Sequence, residues 1–136
     1  MCGLFDQWQR QTGRRLYVYV ELRTISGRLA RLPDVSAYRA RPPENAQKHA
    51  LTVADLSIEF RLPHESLLQQ RAKCRWYLEQ GAQAALLLDP DTEIAECFGP
   101  AGAWEAFTDT RVLPLDDILP GLDLTPRAIF AILHQP

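Results

Sequence analysis

From Leu16 to Leu22 apolar and polar positions alternate, with Leu16, Val18, Val20 and Leu22 on one side and Tyr17, Tyr19 and Glu21 on the other. This period of two predicts a half-buried strand. A helical piece ending near Gly13 precedes it, and Gly27 marks a turn into a second extended run, "RLARLPDVSAYRA". "RPPENAQKHALT" then has the proline, asparagine and charge content of a loop before the strand "DLSIEF". Pro63 stops that strand, Ser66 or Glu65 can organise the first turn of a helix over "ESLLQQRAKCRWYLEQG", and Gly81 closes it. The unbroken apolar run "AQAALLLDP" has strand length, and "TEIAECF" alternates again as its hairpin partner across "DPDT". After "RVLPLDDIL" and a "PGLDL" turn, Thr125-Pro126 has the cap-then-first-position chemistry of a last helix. The order predicts one α/β or α+β domain over 1–136, a mixed sheet packed by the central helix.

Composition agrees with a single core: 136 residues, 46% of them hydrophobic, are enough to bury roughly two-thirds of the unfolded surface. No apolar run approaches the ~20 residues of a membrane span, and the N-terminal stretch lacks the apolar segment of a signal peptide. An intracellular, cytoplasmic chain is the expectation. Cys2, Cys74 and Cys97 are odd in number and widely spaced, which predicts free thiols. The net charge of −2 hides an asymmetry. Residues 1–50 hold nine Lys/Arg against four Asp/Glu, a balance of +5, and the remainder is −7. That distribution suits a face that meets phosphates, and equally suits scattered solvated arginines.

Candidate chemistry starts at Glu59, a carboxylate near the end of "DLSIEFRLP". Leu56, Ile58 and Phe60 share one face of this strand, while Asp55, Ser57, Glu59 and Arg61 share the other. One reading is an exposed Glu59–Arg61 pair worth little. The other joins Glu59 to Asp34 of "LPDV", because carboxylates on two neighbouring strands can hold one hard divalent cation. Lys73 on the following helix adds an amine, with Gln69 and Tyr77 four residues to either side on the same stripe. An acid pair for a metal, with an ammonium beside a developing phosphate charge, is what metal-assisted phosphodiester hydrolysis requires. Competing sites are weaker. His49, His64 and His134 form no metal-ligand spacing, Cys74 has no local activating histidine, Trp8, Trp76 and Trp104 do not cluster for base stacking, and no glycine-rich phosphate loop is present.

"LPDVSAYRA" followed by "DLSIEFRLPHESLLQQRAKCRWYLEQGAQAALLLDPDTEIAECF" resembles the Uma-two family, a branch of the PD-(D/E)xK nuclease superfamily. The matching positions are Pro33-Asp34-Val35, Glu59, Pro63, Lys73, Tyr77, Gly81 and Asp89-Pro90, ungapped from Glu59 to Pro90, within a resemblance spanning roughly residues 14–133. It implies a restriction-endonuclease-like fold, a central mixed sheet flanked by helices. It also implies Asp34 and Glu59 as ligands of Mg2+ or Mn2+, Lys73 as the catalytic lysine, and Arg61 where the wider superfamily keeps its lysine. Leu62 stands where relatives have serine and Gln69 where they often have aspartate, and the chain reads as shortened at its N-terminus. Two functions follow: a Mg2+-dependent DNA endonuclease, with Arg61, Gln69 and Tyr77 in support, or a lapsed nuclease-fold protein that binds a partner or nucleic acid. Loss of a leading helix would uncover apolar sheet surface, which a homodimer would cover, or Leu4, Phe5 and Trp8 would fold back over it.

Overall fold

The computed structural model describes residues 2–134. Its elements, in chain order, are α1 (Cys2–Thr12), β1 (Tyr17–Val20), β2 (Thr24–Ser26), β3 (Leu29–Arg31), β4 (Val35–Tyr38), β5 (Leu56–Phe60), α2 (Leu67–Glu79), β6 (Ala84–Asp89), β7 (Ile94–Phe98), β8 (Trp104–Phe107) and α3 (Pro126–Leu133). Six strands form one sheet in the order β1-β4-β5-β6-β7-β8, and β2-β3 form a separate two-stranded ribbon. Within this six-stranded sheet, among the described residues, only the β5–β6 pair is parallel. A parallel neighbour requires a crossover, and α2 supplies it. The fold is therefore the expected restriction-endonuclease-like α/β arrangement, a central mixed sheet flanked by helices.

The sheet is covered on both faces. Val35, Ala37, Leu56, Ile58, Leu86 and Leu88 belong to the larger core, with Phe5 and Trp8 of α1 and Ile129 and Phe130 of α3. Ala85, Leu87 and Phe98 meet Cys74, Trp76 and Tyr77 of α2 on the other side. Alternation along β5 thus sends Leu56 and Ile58 to one core and Ser57 and Glu59 beneath α2, so neither face of this strand is solvated. The termini of the helices follow their sequence signals. Ser66, rather than Glu65, caps α2, its Oγ accepting from the Gln69 amide at 3.3 Å, and Thr125 Oγ1 accepts from the Ala128 amide at 3.2 Å to cap α3. Gly81, at φ 112°, follows the Gln80 C-cap in a conformation that disfavours a side chain.

Three expectations change in detail. The run "RLARLPDVSAYRA" is two strands: β3 pairs with β2 in the ribbon, and the chain then passes through Pro33, which has no ladder donor, before β4 enters the main sheet. In β1 the tyrosines turn toward Tyr38, Ala50 and Ala54, while Val20 at the strand end is 65% exposed. Beyond the predicted hairpin, β8 adds an edge strand, paired to β7 from Ala95↔Phe107 to Phe98↔Trp104. The fold-back of the N-terminus is present: Phe5 and Trp8 are buried against the sheet and Trp8 Nε1 donates to the Pro120 carbonyl at 3.0 Å. Among the described residues no helix is long and apolar enough to cross a membrane.

Candidate active site

The site lies where β4 begins and β5 ends. The antiparallel register runs Val35↔Ile58, Ser36↔Ser57, Ala37↔Leu56; one step beyond Val35↔Ile58, Asp34 falls opposite Glu59, on the face that α2 covers. The Asp34 carboxylate uses Oδ2 to accept from the Phe60 amide at 2.7 Å. Glu59, 4% exposed, uses Oε1 twice, accepting from the Tyr77 hydroxyl at 2.7 Å and pairing with Lys73 Nζ at 3.0 Å. Lys73 Nζ also donates to the Leu32 carbonyl at 2.9 Å, which anchors the amine to the segment leading into Asp34. The described residues place no further hydrogen-bond donor on Asp34 Oδ1 or Glu59 Oε2. Each carboxylate is therefore held by one oxygen, with the other left over.

Burial dominates the electrostatics. It pushes the Glu59 carboxyl from an ordinary 4.5 up to about 7, against the opposing pull of Lys73 and the Tyr77 hydroxyl, and the nearby Asp34 charge adds to the rise. Burial raises the Tyr77 hydroxyl well above its ordinary range, and the Glu59 charge adds to that, so Tyr77 acts only as a hydrogen-bond donor here. Cys74, in the next position after Lys73, is fully buried and its thiol is raised by the same cause, which removes it as a nucleophile.

The structure brings Asp34, Glu59, Lys73 and Tyr77 together. Arg61 does not pair with Glu59: it turns into the β5–α2 connection, where Nη1 donates to the Glu65 carbonyl at 2.7 Å and to Gln70 Oε1 at 2.7 Å and lies against the Leu62 carbonyl. Gln69 lies exposed in the wall of a groove of about 570 Å³ shared with Arg31, Lys73 and Trp76. The buried amide belongs to its neighbour Gln70, whose Nε2 donates to the Phe60 carbonyl at 3.0 Å. Sequence reasoning passed over Gln70, although Leu67, Gln70, Cys74 and Tyr77 follow the spacing of a packed helical stripe in which it is the polar member.

As a metal site, the donor set is two hard carboxylate oxygens on one face, with no third Asp, Glu, His or Cys grouped with them among the described residues. That fits a small hard dication such as Mg2+, which is commonly bound by one or two carboxylates and keeps several waters. It does not suit a soft or imidazole-preferring metal.

A mixed sheet with facing acids at the ends of two central strands and a lysine on the crossover helix defines a restriction-endonuclease-like nuclease fold. The chain belongs to the Uma2 family, described as "Putative restriction endonuclease", whose family model matches residues 1–127. Its fold is similar to that of an Anabaena variabilis protein described as "a putative nuclease belonging to DUF820", with a TM-score of 0.81, 23% sequence identity, and 96% of this chain and 76% of that chain covered. No curated protein matches the chain.

Proposed function

We propose that this chain is a divalent-metal-dependent nuclease that hydrolyses phosphodiester bonds of DNA, with Asp34 and Glu59 holding Mg2+, or Mn2+ in its place. The observation that carries this reading is the pairing of two carboxylates across β4 and β5, each fixed through one oxygen and free at the other, with an ammonium 3.0 Å from one of them. A divalent cation bound there would supply Lewis-acid polarisation of a phosphoryl oxygen and a more acidic water. The protein's own part is positional and electrostatic. Tyr77 and Lys73 fix the Glu59 carboxylate by hydrogen bonds to one oxygen, and Lys73, 28% exposed in its side chain, can present positive charge to a phosphate entering from solvent. The phosphates of DNA are a chemically natural partner for the basic N-terminal half.

The second reading, a lapsed nuclease fold that binds without cutting, draws on Gln69 and Leu62, which stand where the family resemblance implies an aspartate in many relatives and a serine. One experiment separates them: conversion of supercoiled plasmid to nicked or linear DNA, with Mg2+ or Mn2+, for the wild type, Asp34→Ala and Lys73→Met. Metal-dependent cutting lost in both variants supports the nuclease. Cutting that survives Asp34→Ala refutes the assignment of the acids, and retention of DNA on a filter without cutting supports the lapsed reading.

A further inference from the structure

We propose that Gln70, acting with Arg61, is the positioning bracket of this site, setting the two acids and Lys73 relative to one another; the inference rests on the nuclease reading for its functional consequence. The contacts form a continuous chain. Asp34 Oδ2 accepts from the Phe60 amide at 2.7 Å, the Phe60 carbonyl accepts from Gln70 Nε2 at 3.0 Å, and Gln70 Oε1 accepts from Arg61 Nη1 at 2.7 Å. The same Arg61 nitrogen holds the Glu65 carbonyl at 2.7 Å, so one guanidinium ties the turn after the acidic strand to the lysine helix.

Phe60 is the residue on which these contacts converge. It directly follows Glu59, its amide holds Asp34, and its carbonyl is held by a side chain one helical turn before Lys73. A shift of α2 along the sheet would stretch the Gln70–Phe60 bond and move Lys73 away from Glu59 together. Gln70 is buried, with both ends of its amide used, so it is not a solvated residue even though it borders the groove that Lys73 lines. Replacing it by leucine would preserve bulk and helix propensity yet leave the Phe60 carbonyl and the Arg61 guanidinium each short of a partner. Arg61 thereby has a role other than that of the superfamily lysine whose place it occupies: it supports the turn and does not approach the acids.

The test uses the full chain as wild type, Gln70→Leu, Arg61→Leu, the double variant and Arg61→Lys. Three readouts are needed: urea unfolding, hydrogen exchange of the Phe60 amide, and Mn2+ affinity by calorimetry. In Gln70→Leu, Phe60 exchange should rise at least tenfold beyond the change in global stability. Mn2+ affinity should fall about tenfold, the lower end of what loss of an outer-shell support costs. Arg61→Leu should do the same, the double variant should be little worse than either single one, and Arg61→Lys should recover most of the loss. Effects that add in the double variant, or a lower urea midpoint with Phe60 exchange and Mn2+ affinity unmoved, would overturn the bracket. If the wild type binds no Mn2+ while Phe60 exchange responds as stated, the bracket stands and the nuclease reading fails.

Discussion

Replacing Glu59 by glutamine keeps the side chain's shape and an oxygen to accept from Tyr77 and Lys73, and removes a charge from a place that is 4% exposed. Burial holds the Glu59 carboxyl at about 7 in the folded chain, against an ordinary 4.5. Because the folded-state value lies above the unfolded one, the folded protein keeps the extra proton between those two pH values, and this group's contribution to stability is lost as pH rises through that window. At about 1.36 kcal/mol per pH unit, the loss is about 3 kcal/mol, complete a little above pH 7. Glu59→Gln is therefore expected to match the wild type near pH 4.5 and to exceed it by up to about 3 kcal/mol at pH 8. Urea unfolding of both proteins in EDTA, at four or five pH values from 4.5 to 8, measures the difference free of other titrating groups. A difference that stays flat with pH, or a variant less stable than the wild type at pH 8, would refute the reasoning. Confirmation would mean that the acid most important to the proposed chemistry is held at a cost to the fold, as expected of a functional group.

Tyr77→Phe should lower stability by about 1–3 kcal/mol, the usual range for an unsatisfied buried polar group, and should move the Glu59 titration to still higher pH, readable by NMR of the labelled carboxyl. Lys73→Met should leave Mn2+ affinity within a few fold while reducing the rate of plasmid cleavage by about two to three orders of magnitude, the typical loss for one electrostatic stabiliser of a developing charge. Mn2+ affinity itself should weaken by about tenfold per pH unit below about pH 7, since the cation must displace the Glu59 proton. Arg71→Ala should destabilise by about 1 kcal/mol near neutral pH, the upper end for a solvent-accessible pair of good geometry, since Arg71 contacts both oxygens of the part-buried Glu96 at 2.8 and 3.0 Å. Despite burial, hydrogen bonds from Arg71 and Trp104 hold the Glu96 carboxyl below its usual range, so this cost should shrink as the pH falls through that lowered value.

The sheet-forming runs with strong patterns were legible from the sequence: "DLSIEF", "AALLLD" and "IAECF" are strands, and the helix between the first two ends where Gly81 predicts. What the pattern hides is shape set by partners at a distance. β8, "WEAF", carries three exposed positions at a sheet edge and shows no clean alternation of its own; β7 makes it a strand. The division between β3 and β4 depends on which strand each meets, which local periodicity does not encode. At the site, Asp34, Glu59, Lys73 and Tyr77 could be assembled because spacing and family resemblance agreed. Gln69 and Gln70 are chemically identical neighbours, and only the packing of α2 on β5 decides which amide turns inward. The solvated face offered as one reading of β5 failed for a related reason, since a polar residue pattern does not reveal a helix lying over it.

Crystals of the wild type soaked in Mn2+, with anomalous scattering recorded at the manganese edge, test the proposed metal site most directly. The expected result is one ion within about 2.2 Å of both Asp34 Oδ1 and Glu59 Oε2, absent from crystals of Asp34→Ala. Manganese bound elsewhere with this pair of oxygens unligated, or an ion that persists there in Asp34→Ala, would contradict it.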